Sequence, residues 1–117
     1  MSTHDHLKIA STEMMKAASL VRQEIADLRG DVGKLQKHVE QNVAQLTVEL
    51  QAREKEVRES GDPSLRSEGQ NLINVLVRQI ADSRSQLKLD EQRIQDAIKE
   101  KESLISNFDQ QARSLQP

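Results

Sequence analysis

The sequence predicts an all-α protein: a long antiparallel two-helix hairpin, coiled-coil-like, that dimerises into a four-helix bundle. Three observations carry the prediction. The first is a mirrored apolar face. Leu7, Ala10, Met14, Ala18, Val21, Ile25, Leu28, Val32, Leu35, Val39, Val43, Leu46, Leu50, Arg53 and Val57 step by threes and fours, the spacing of one helix face. Read backward from the C-terminus, Leu115, Ala112, Phe108, Ile105, Lys101, Ile98, Ile94, Glu91, Leu87, Ser83, Ile80, Leu76, Leu72, Gly69 and Leu65 do the same. Paired in order, the numbers of each pair add to 122 or 123, and eleven of the fifteen pairs are apolar on both sides. Two helices of equal length, folded back on one another, produce that match.

The second observation is a single strong breaker cluster, Ser60-Gly61-Asp62-Pro63, placed at the centre of the mirror. Gly61 suits a left-handed residue after a helix end. Asp62 suits an N-cap, and Pro63 suits a first helical position, where its missing N–H costs nothing. A short turn between long helices makes them antiparallel neighbours. The third observation is composition. The 117 residues include no Trp or Tyr and one Phe, so the apolar content is aliphatic and spread along the chain, as in coiled coils.

Taken in order, the chain reads as one hairpin domain over residues 1–117, with helix 1 about 4–59, a turn at 60–63 and helix 2 about 64–114. Ser2 with Asp5 three residues later is a variant capping box at the start of helix 1. Gly30 and Gly33 interrupt a helical pattern at roughly 1 kcal/mol each. They mark a kink or a close helix approach, with Leu89 opposite Gly33. Paired steps of four, at Ala10-Met14-Ala18, Leu35-Val39-Val43, Leu72-Leu76-Ile80 and Ser83-Leu87-Glu91, locally unwind a left-handed supercoil. Five seam positions are polar: Arg53, Gly69, Ser83, Glu91 and Lys101. Long charged stems at a narrow seam are expected to snorkel to its edge, with register fixing as the competing role.

Apolar residues outside the seam carry the functional hint. Ala44, Val48, Ile73, Val77 and Ala81 group near the turn, and Ile9, Ala17, Leu20, Ala97 and Leu104 group toward the termini. Helical phase places both groups on flanks that a lone hairpin cannot cover. Exposed apolar patches mark interfaces. The expected partners are a second copy of the chain, completing a four-helix bundle, or a helix of another protein.

Charge and motif content narrow the function. Residues 1–60 carry nine basic and ten acidic groups and residues 61–117 carry eight and nine, interleaved throughout. That pattern is a solvated helix face and not the concentration of positive charge that nucleic acid needs. No apolar run approaches the ~20 residues of a membrane span. No signal peptide is visible at the start, so the expectation is a cytoplasmic protein, with leaderless secretion left open. There is no cysteine. Histidines stand only at positions 4, 6 and 38. Ser2-Thr3-His4 matches an amino-terminal Cu(II)/Ni(II) motif and Arg29-Gly30-Asp31 an adhesion tripeptide. Short motifs recur by chance, and the helical face runs straight through the second. No cofactor, metal or catalytic residue is therefore expected, and the chain is expected not to be an enzyme.

In size and hairpin shape the chain resembles the WXG substrates of type VII secretion, although Ser60-Gly61-Asp62-Pro63 stands where that family has Trp-x-Gly. It also resembles a prefoldin beta subunit, without the strands between the helices, and the coiled-coil export chaperones of flagellar and type III systems. Shape alone does not carry function across. The expected function is a self-associating helical-hairpin interaction module, an adaptor or assembly component. The alternative is a small secretion-system protein, either a leaderless WXG-like substrate or an export chaperone.

Overall fold

The computed structural model describes residues 2–115. They form two helices, α1 (Thr3–Glu59, 57 residues) and α2 (Pro63–Leu115, 53 residues), with no strand among the described residues. The chain is an all-α antiparallel two-helix hairpin. It divides into two compact units. A turn unit spans Gly33–Glu91, and a terminal unit joins the residues up to Val32 with those from Gln92 onward.

Local chemistry sets the helix ends. Ser2 caps α1: its hydroxyl accepts from the Asp5 backbone N–H at 3.2 Å, and Asp5 Oδ2 accepts in return from the Ser2 N–H at 3.2 Å. This reciprocal pair satisfies two donors that a helix start leaves without partners. In the turn unit α1 ends with Ser60 N–H donating to the Glu56 carbonyl at 3.0 Å. Asp62 then caps α2, its Oδ1 accepting from Ser64 N–H at 2.9 Å, with Pro63 as the first helical residue. Gly61 departs from expectation, since no glycine has positive φ. The Ser60 hydroxyl accepts from Asp62 N–H at 3.2 Å, and this side-chain bond turns the chain without a left-handed residue.

The seam is built as the mirror predicts over most of its length. All fifteen α1 positions are buried or half-buried, as are thirteen of the fifteen on α2. In the terminal unit Ala18, Ile25, Ile98 and Ala112 form the core, each at most 5% exposed. In the turn unit the core is Val43, Ile73 and Leu76. The two exceptions are Leu65 and Leu72, which are exposed at 58% and 47%. Ile73, expected on a flank, occupies the seam instead. The buried series Gly69, Ile73, Leu76, Ile80 alternates steps of four and three and so removes the stutter that Leu72 would have introduced.

The register shifts with it. A Cβ at Gly69 would lie 2.5 Å from Val57 Cγ2, so Val57 faces Gly69 and not Leu65. With Gly69 opposite Val57, Leu65 falls level with the connection beyond the end of α1 and has no α1 side chain to pack against. Gly69 is thus the glycine at a close approach. Gly30 and Gly33 are not: nothing lies within 4 Å of a Cβ at either, and Leu89, expected over Gly33, is exposed.

Candidate interaction surface

Which broad face a side chain joins follows from its phase relative to the seam. In two right-handed helices packed antiparallel, a residue one step after a seam position swings to the same broad face from either helix, and a residue one step before swings to the other. In the terminal unit the cross-helix ion pairs show this directly. Arg22 follows Val21 and Asp109 follows Phe108, and they pair at 3.1 Å. Arg29 follows Leu28 and Glu102 follows Lys101, and they pair at 3.4 Å. One face of the terminal unit is therefore bridged by charge. All four groups are exposed or nearly so, so each pair contributes at most about 1 kcal/mol.

Its opposite face carries the expected terminal patch. Ile9, Ala17, Leu20, Ala97 and Leu104 each precede a seam residue. Ile9, Leu20 and Leu104 are exposed at 48%, 69% and 44%, and Ala17 and Ala97 are half-buried. Lys101, a polar seam position, extends to this edge and donates to Glu24 of α1. Its half-buried stem and paired ammonium fit the snorkelling expected of it.

In the turn unit, Ala44, Val77 and Ala81 each follow a seam residue and share one broad face, all three exposed, Val77 at 51%; Val48, two residues from both Leu46 and Leu50, lies on the outer side of α1 and is exposed at 67%. Gln70 and Asn74 join the first three, bonded to each other at 3.1 Å. Ile73 lies beneath this face and not on it. Leu72 and Val75 precede seam residues and point to the other face, both exposed.

The sequence carries a further signal here that apolar counting misses. Residues 41–48 and 69–77 are the two longest stretches free of Asp, Glu, Lys and Arg, eight and nine residues long. At 31% charged, seventeen positions of this chain would hold about five charges. Both runs lie within the turn unit. Depletion of charge, more than hydrophobicity, distinguishes the core of a protein interface.

Chemistry of other kinds has little material. Among the described residues no group of three or more His, Asp or Glu side chains is placed to hold a metal ion, and no helix is long and apolar enough to cross a membrane. His38 shares an open groove with Asn42, Asp82, Gln86 and Asp90, all exposed or half-buried, which is not the desolvated pocket acid–base chemistry needs. Met1, whose removal the copper-type motif requires, lies outside the described residues, and His4 and His6 lie within α1. Comparison with protein-family models, curated proteins and solved structures found no match.

Proposed function

We propose that the chain is a non-enzymatic interaction module that self-associates, two hairpins packing into a four-helix bundle that serves as an adaptor or assembly component. One observation carries the reading. The chain exposes 8574 Å². A compact monomer of 13.2 kDa exposes about 6,400 Å². The excess, roughly 2,200 Å², exceeds the ~800 Å² that each partner contributes to a standard specific interface.

The physical cause is architectural. Two helices bury only a stripe of each other, and here no large side chain is fully enclosed. Bundles reach a filled core by adding helices. A second hairpin supplies them without new sequence.

Thermal unfolding across a hundredfold range of protein concentration, with light scattering for mass, tests the proposal. Association with the folded state makes Tm rise with concentration. A mass of 13.2 kDa and a constant Tm throughout would overturn self-association.

A further inference from the structure

We infer that the hairpin carries a built-in opening point: residues 33–42 of α1 and 80–91 of α2, at the end of the turn unit away from the turn, unpair locally while the turn end of the same unit stays closed.

The seam is thin in this stretch. Two open grooves reach it. One is lined by His38, Asn42, Asp82 and Gln86, each of which precedes a seam residue. The other is lined by Glu40, Ala44 and Arg84, each of which follows one. Phase therefore puts the grooves on opposite broad faces. Val39 and Leu87 line both. A single side chain from each helix separates the two grooves, and the pair is open to solvent from both sides.

The neighbouring positions add little cohesion. Ser83 and Glu91, the α2 seam positions on either side of Leu87, are polar and half-buried. No side chain from Gly33 to Asn42, or from Val77 to Glu91, is buried, whereas Val43, Ile73 and Leu76 are buried toward the turn. Gly33 brings no side chain, and a Cβ added there would touch nothing within 4 Å. Its backbone also costs the helix about 1 kcal/mol against alanine. Few buried apolar contacts and a weak helix lower the free energy of a local opening. The opening exposes Leu35, Val39 and Leu87, apolar side chains that the closed hairpin half-covers.

Hydrogen exchange of the wild-type chain, read amide by amide by NMR at low protein concentration, tests this. Amides of residues 36–42 and 84–90 are expected to exchange at least about tenfold faster than those of 45–50 and 73–78, and faster also than those of 18–25 and 98–105. Low urea should leave the fast rates unchanged, because a local opening exposes little new surface. Gly33→Ala and Ser83→Leu, made separately, should each slow exchange in the stretch about threefold or more, the first through helix propensity and the second by filling the seam. Uniform protection along the turn unit would overturn the inference, since the unit would then open as a whole. Protection that declines steadily from the turn to the chain ends would overturn it too, because that gradient is fraying. Fast rates that neither substitution slows would remove these residues as the cause and the inference with them.

Discussion

The Ser11 hydroxyl donates to the Ala112 carbonyl at 3.0 Å, joining residues 101 apart in sequence, and both residues are at most 3% exposed. A backbone carbonyl has two lone pairs, and one in the last turn of a helix is open to a side-chain donor. The contact ties the beginning of α1 to the end of α2 inside the terminal unit. Ser11→Ala should cost about 1 kcal/mol, the net worth of a buried hydrogen bond. Thr12→Ala is the control, since its hydroxyl bonds only the Lys8 carbonyl of its own helix at 3.0 Å on the surface. Urea unfolding of both variants checks this, and equal losses would remove the special role of Ser11.

Glycine substitutions should split by position. Alanine favours helix over glycine by about 1 kcal/mol. At Gly30 and Gly33 the new Cβ meets nothing within 4 Å, so each alanine should stabilise by up to that amount. At Gly69 it would lie 2.5 Å from Val57 Cγ2, so Gly69→Ala should destabilise by roughly 1–3 kcal/mol through overpacking. Adding Val57→Ala should recover part of the loss. A double-mutant cycle from chemical denaturation measures that coupling.

Two neighbouring residues distinguish the observed seam from a simpler one. Ile73→Ala should cost roughly 2–4 kcal/mol, because it empties a buried site. Leu72→Ala, at a half-exposed site, should cost under about 1 kcal/mol in the monomer. Thermal denaturation at low protein concentration separates them, and the reverse order would mean that the seam runs through Leu72.

The ion pairs of the terminal unit should matter far less. Arg29→Gln, which removes the 3.4 Å contact with Glu102, should change stability by less than about 1 kcal/mol and reduce its salt sensitivity. A loss of 2 kcal/mol or more in low-salt denaturation would mean that exposed charges hold the two helices together.

The hairpin was legible because its evidence is periodic. Steps of three and four place Ile25 and Ile98 in the core without knowledge of any contact, and Asp62-Pro63 marks a helix start by local chemistry alone. Register near the turn was not legible. The sum rule pairs Val57 with Leu65, whereas Val57 meets Gly69, four residues further along α2, and this offset leaves Leu65 exposed and draws Ile73 inward. The cross-helix pairs Arg22–Asp109 and Arg29–Glu102 were also hidden, since many acids and bases compete for each partner on a surface this charged. Of the ten flank residues, phase alone sorts nine onto exposed or half-buried sites; Ile73 fails because it borders both the seam and the face.

The short connection at Ser60–Asp62 sets the order in which the chain can assemble. Bringing Val57 against Gly69 closes a loop of only twelve residues, whereas the Ser11–Ala112 contact closes one of 101. Closing the longer loop from an unstructured chain costs about 2 kcal/mol more in entropy. Folding therefore starts at the turn and zips outward, each new contact shortening the loop left for the next. Truncating Ile73 should slow refolding, and truncating Ile98 should mainly speed unfolding. The turn unit then forms while the chain ends are still open, so its outer surfaces are complete before the terminal unit closes.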